Sequence, residues 1–188
     1  MYLGFEKIAL DAFQFLQAQY GFRCVEFNQW NVRYESESVF VSVYFDGTRS
    51  FELGCSFGRL NDLKKPYPES FDFGDLLRCE VGSVEGSSFQ VTTSDALKKF
   101  TNLLAEKLER HGSRILVGDD SAFDLILKLR DQANLEYARE ERLEQIRHSL
   151  EKAWRAKEYQ KVVELLAPVQ EWLTPSEVKK LEYARKRL

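Results

Sequence analysis

The sequence predicts an α+β fold: an antiparallel β-meander flanked by helices, followed by a C-terminal helical hairpin or bundle extension. Three observations carry this reading. Between Val39 and Phe57 apolar side chains recur at every second position on either side of a turn, the period of a half-buried strand. Residues 3–20 and 94–111 instead place apolar side chains at helical spacing. From 119 to 188 the chain is charge-rich, helical in period and free of glycine. An α+β domain over 1–118 and a helical region over 119–188 are therefore expected.

Each element has its own signal. Leu3, Ile8, Ala12, Phe15, Leu16 and Tyr20 make the stripe of a first helix, and Gly21 follows where a helix end favours a residue able to take positive φ. Residues 22–27 read as extended, and Val32-Arg33-Tyr34-Glu35 as a strand after the polar Asn28-Gln29-Trp30-Asn31. Val39, Val41, Val43 and Phe45 then face one way and Phe40, Ser42, Tyr44 and Asp46 the other. Asp46-Gly47 is a hairpin signal, and Phe51, Leu53, Cys55 and Phe57 share a face of the next strand. Pro66 and Pro68 mark a loop. A short helix is expected around 71–79, and a short strand at 89–92. Thr93-Ser94-Asp95 supplies cap chemistry for a helix striped by Leu97, Phe100, Leu104 and Leu108 and ending near His111-Gly112.

The helical region is too long for one ordinary helix, so breaks are expected near Asn134 and after Ala167, where Pro168 follows. Thr174-Pro175-Ser176-Glu177 carries an N-cap, a proline in the first turn and the acid of a capping box. Trp154 and Trp172 fall at helical positions expected to be core.

Composition removes several function classes. The chain has 188 residues, long enough to bury a core without disulfides, and its three cysteines, Cys24, Cys55 and Cys79, are odd in number and widely spaced. Free thiols and a cytoplasmic location follow as expectations. The first residues lack the pattern of a signal peptide, and no apolar run is long enough to span a membrane. With 27 basic and 30 acidic side chains and a formal net charge of −3, neither part forms a basic block, so nucleic acid is not an expected partner.

The sequence carries no recognised catalytic pattern. His111 and His148 stand alone, outside any zinc-binding spacing, and no metal or other cofactor is expected. Gly54-Cys55-Ser56-Phe57-Gly58 is no phosphate loop, since its two glycines share a strand face and would let a helix or partner approach closely. Asp119, Asp120 and Asp124 fit a helix start, where acids interact favourably with the dipole. Asp72 and Asp75 fit a solvated turn. The chain is read as a non-enzyme.

The aromatic residues form the stronger signal. Phe40 and Tyr44, with Asp46, share the strand face opposite the apolar stripe, while Trp30, Tyr67 and Phe71 lie in or beside loops. These six residues are candidates for a protein-binding surface. The same pattern also fits a face that a helix covers.

Two resemblances add to this. Leu150-Glu151-Lys152-Ala153 and Leu181-Glu182-Tyr183-Ala184 match at a separation of 31 residues. The helical hairpin read from Ala153 to Pro175 is similar to a single tetratricopeptide-type repeat, whose period is about 34 residues. Tyr34 to Leu60, YESESVFVSVYFDGTRSFELGCSFGRL, and the ending from Ala153, AWRAKEYQKVVELLAPVQEWLTPSEVKKLEYARKRL, resemble bacterial proteins similar to the small immunity proteins of polymorphic toxin systems. That resemblance implies a protein that binds and blocks a cognate toxin, and it marks no catalytic residue. The alternative is an adaptor or oligomerisation protein whose C-terminal helices grip a peptide or another copy of the chain.

Overall fold

The computed structural model describes residues 3–60 and 69–188. The chain forms two compact units, Met1–Arg130 and Asp131–Leu188. The fold is α+β, with one antiparallel sheet and C-terminal helices.

In the first unit, the apolar stripe of residues 3–20 forms two helices, α1 (Phe5–Ala12) and α2 (Gln14–Tyr20), where one was expected. They meet at Phe13, whose φ of −97° and ψ of 13° depart from helical values. Its side chain is fully buried, as are Phe5, Ala9 and Leu16. The offset between the two helices therefore lies within the core. Gly21 ends α2 with φ 70°, as its position predicted.

The sheet runs β1 (Arg23–Phe27), β2 (Asn31–Glu35), β3 (Val39–Phe45), β4 (Glu52–Arg59) and β5 (Ser70–Asp72) in spatial order, and β6 (Ser88–Gln90) also pairs with β4. β4 is long enough to hold β3 along one edge and both short strands on the other: Ser56–Gly58 take β5, and Glu52–Gly54 take β6. A bulge falls between Cys24 and Glu26 in β1.

The period of two turns Val32 and Tyr34, then Val39, Val41, Val43 and Phe45, then Leu53, Cys55 and Phe57 inward, where all are buried. Against them pack α1, α2, α3 (Phe73–Val81), α4 (Ser94–His111), α5 (Ser113–Leu116) and the first turns of α6 (Asp120–Arg155). Each large apolar side chain so buried contributes about 1.5–3 kcal/mol. Thr93 caps α4 as expected, its Oγ1 accepting the Ala96 N–H at 3.3 Å.

The boundary between the units falls later than the expected 118/119 division, because Ala122, Phe123 and Ile126 of α6 belong to the first unit's core. No break occurs near Asn134: α6 is continuous over 36 residues. Its middle holds no glycine or proline and is rich in Ala, Leu, Glu and Arg, all strong helix formers. The helix stops instead at Lys157, whose φ of 58° is left-handed. There the Lys157 N–H bonds to Trp154 O at 3.1 Å and the Glu158 N–H to Ala153 O at 3.0 Å, a Schellman ending.

The second unit continues with α7 (Tyr159–Leu166), a 3₁₀ segment (Ala167–Trp172) opened by Pro168, and α8 (Pro175–Arg185). Leu150 and Ala153 share a small core with Leu181 and Ala184, so the two matching tetrapeptides supply like residues to one cluster. The expected capping box is present: Glu177 N–H bonds to Thr174 Oγ1 at 3.3 Å and Thr174 N–H to Glu177 Oε2 at 2.8 Å. Trp154 and Trp172 are half-buried rather than fully in the core. The Trp154 ring packs edge-on to Tyr159 and Tyr183, with centroids 6.3 and 5.7 Å away.

Candidate partner-binding face

The alternation that sends the valines of β3 inward leaves Phe40, Ser42 and Tyr44 on the outer face of the sheet. Register places Phe40 opposite Gly58, Ser42 opposite Ser56 and Tyr44 opposite Gly54. The glycines do allow a close approach, and what approaches is an aromatic ring from the neighbouring strand. A Cβ on Gly54 would overlap the Tyr44 phenol, and one on Gly58 would meet Phe40 Cε1 at 2.6 Å and collide with the Glu69 carbonyl oxygen. Each ring thus lies across its glycine and supplies the apolar cover that residue lacks.

Phe40 is also covered from above, with the Arg33 guanidinium 4.1 Å from its centroid and tied to Glu35 at 2.7 Å. It is only 4% exposed, so it supports the face without presenting a surface.

Trp30 is 40% exposed and sits in the β1–β2 turn. Asn28 builds that turn: its Oδ1 accepts the N–H groups of Trp30 and Asn31, both at 2.9 Å, and its own N–H reaches Asn31 O at 2.8 Å. The Phe45 N–H bonds to Trp30 O at 2.9 Å and fixes the turn against the end of β3. Trp30, Tyr44, Phe45, Asp46 and Thr48 consequently line one shallow, mostly apolar depression of about 290 Å³.

Three of the six candidates, Trp30, Tyr44 and Asp46, are therefore brought together. Asp46 contributes as a scaffold. Its carboxylate accepts from Thr48 N and Oγ1, from Arg49 N and from Ser50 N and Oγ, at 2.8–3.1 Å. Those donors hold it well below the usual carboxylate range. Phe71 is not on this face. It points inward from β5, is 2% exposed, and packs between Phe57 and Phe123 at centroid distances of 5.9 Å. In the strand Ser70–Asp72 the middle residue takes the core side, whereas the expected loop followed by a short helix from residue 71 left Phe71 beside a loop. Tyr67 lies outside the described residues.

Tyr44 also borders a second cleft of about 240 Å³, lined by Glu52, Asp72, Asp75, Arg78 and Ser88 among others. Burial, with the Glu52 and Asp72 charges beside it, pushes the Tyr44 phenol up to about 12, so it remains a protonated donor. Burial also raises the Asp75 carboxyl. Asp72 and Asp75 form the capping box that starts α3, with the Asp72 N–H on Asp75 Oδ2 at 3.2 Å. Arg78 Nη1 stands 3.5 Å from Asp75 Oδ1. The aspartates are thus helix-start groups, and so is Asp119, which takes Ser121 N–H at 2.9 Å and Arg114 Nε at 2.8 Å and is held down at about 2. Asp120 and Asp124 pair with Arg59 at 3.3 and 2.9 Å.

Val25 and Phe27 are surface residues that sequence reasoning did not single out, and they are 53% and 64% exposed on β1. Their signal was limited to lying in the first strand, and the bulge that displaces Val25 has no sequence mark. The cysteines are free thiols. Among the described residues no group of three or more His, Cys, Asp or Glu is placed to hold a metal ion, and no helix is long and apolar enough to cross a membrane. Comparison with protein-family models, with curated proteins and with solved structures found no match.

Proposed function

We propose that the protein is a protein-binding module, of the immunity type that occupies and blocks a cognate bacterial toxin. The carrying observation is the depression in which Trp30, 40% exposed, stands beside Tyr44. Aromatic residues that keep an apolar body and a polar tip at the surface are the anchors of protein interfaces. The adjoining cleft, with Glu52, Asp72 and Asp75 against Arg78, adds an acidic rim suited to a basic partner. The resemblance of residues 34–60 and of the ending to immunity proteins supplies the toxin in this reading.

Affinity capture of the tagged full chain from its native host tests it, followed by an assay of the captured protein. A stoichiometric partner whose nuclease, protease or other toxic activity falls when the chain is added back supports the reading. A partner whose activity the chain leaves unchanged, or no partner, overturns it.

The second reading, an adaptor or self-associating protein, rests on the second unit. Leu135 and Tyr137 of α6 are 71% and 70% exposed, and Tyr183 of α8 is 42% exposed. Loss of the captured partner on Tyr137→Ala, with retention on Trp30→Ala, would favour it.

A further inference from the structure

We infer that the open edge of β1 is a contact for a second copy of this chain, with two copies meeting antiparallel so that Arg23 of each faces Glu26 of the other. Among the described residues β1 is paired with β2 alone, which leaves it an edge strand. The bulge between Cys24 and Glu26 blunts that edge, as edge strands commonly are. Yet Val25 and Phe27 remain 53% and 64% exposed, an apolar surface at the place where stray pairing would be most damaging.

The sequence of the strand selects the occupant. Phe22-Arg23-Cys24-Val25-Glu26-Phe27 reads the same from both ends in chemical character: aromatic, charged, two small apolar positions, oppositely charged, aromatic. A two-fold axis between Cys24 and Val25 sets each Arg23 against the other copy's Glu26, so the patch is complementary to itself, as an isologous contact requires. The faces agree with this. Arg23 and Glu26 pair with Glu35 and Arg33 of β2, on the outer side of the sheet, whereas Phe27 pairs with the inward Val32. The charges therefore meet on one face and the Phe27 side chains flank the contact on the other.

Both charges are available. Arg23 and Glu26 are exposed. Among the described residues Arg23 makes no ion pair, while Glu26 accepts an N–H from Asn28 at 2.9 Å. Phe22 is buried and donates its N–H to Leu16 O at 3.1 Å, so the contact is made by side chains and the middle of the strand rather than by a full ladder. A contact of five residues a side falls below the area of a permanent dimer, which makes the association weak and concentration-dependent. This inference stands apart from the partner-binding reading, which uses the Trp30 and Tyr44 face.

Sedimentation equilibrium of the full chain across the micromolar range tests it, using the wild type, Arg23→Glu, Glu26→Arg and an equimolar mixture of the two variants. The wild type is expected to dimerise reversibly. Each variant alone sets like charges together twice and should dimerise about tenfold more weakly, because exposed pairs are individually modest. The mixture should recover association, since every charge again meets its opposite. Phe27→Asp should remove dimerisation while leaving the far-UV circular dichroism unchanged. A wild type that stays monomeric, a dimer indifferent to the single substitutions, or a mixture no tighter than either variant overturns the inference.

Discussion

Arg147 and Glu177, thirty residues apart, are joined by two hydrogen bonds, Nε to Oε1 at 2.7 Å and Nη2 to Oε2 at 3.4 Å. The pair is asymmetric: the Glu177 side chain is 9% exposed and that of Arg147 46%. The same carboxylate closes the capping box of α8, so one acid both starts a helix and ties it to α6. Arg147 and the Thr174 donors hold Glu177 down to about 2.

A pH dependence follows from that pair. The folded-state value lies below the ordinary glutamate value of about 4.3, so the contribution is complete above that value and disappears as pH falls toward the folded value. Denaturant titrations read by tryptophan fluorescence should show stability falling between about pH 4.5 and pH 2. Glu177→Ala should cost about 1–3 kcal/mol at neutral pH and flatten part of the acid dependence. An unchanged acid limb in that variant would show that the Arg147–Glu177 pair does not set the acid dependence.

The ring-over-glycine pairs predict a coupling. Gly54→Ala should destabilise the wild type, because its new methyl meets the Tyr44 phenol, and cost less when Tyr44 is already alanine. The coupling energy from the double-mutant cycle should be about 0.5–3 kcal/mol. Gly58→Ala should be worse than Gly54→Ala in either background, since its Cβ collides with the Glu69 carbonyl of the main chain, which yields less readily than a side chain.

Phe71 and Trp30, grouped together by sequence reasoning, should separate on substitution. Phe71→Ala opens a cavity among Phe57 and Phe123 and should cost about 3–5 kcal/mol. Trp30→Ala, at a site 40% exposed, should stay within about 1 kcal/mol. Thermal unfolding of the two variants beside the wild type reads the difference directly.

Lys157→Gly should stabilise the chain. Lys157 sits at φ 58° in the Schellman ending of α6, where a side chain is strained and glycine is not. A gain of about 0.5–1 kcal/mol in urea denaturation is expected. A loss would mean the lysine side chain has a role that outweighs the backbone strain.

The sequence was most legible where a short-range pattern decides the outcome. The period of two named the buried faces of β3 and β4, and Thr174 to Glu177 announced its own capping box. It was least legible where a distant residue decides. Nothing near Glu177 marks Arg147 as its partner, and no glycine or proline marks Lys157 as a helix end. β5 is three residues long, too short to show a period, and its loss from the reading displaced Phe71. In the candidate site, strand alternation found Tyr44, and the turn residues around Trp30 hinted at its exposure. Their meeting in one depression depends on the Phe45 N–H to Trp30 O bond, which no local pattern records.

Binding through the Trp30 and Tyr44 face is tested by using wild type and Trp30→Ala as baits in parallel captures from the native host, with both confirmed as folded by circular dichroism. A stoichiometric protein partner is expected with the wild type, and its loss, or a weakening of at least about tenfold, with Trp30→Ala. Equal recovery of that partner by both baits would contradict the assignment of the Trp30 and Tyr44 face as the binding surface.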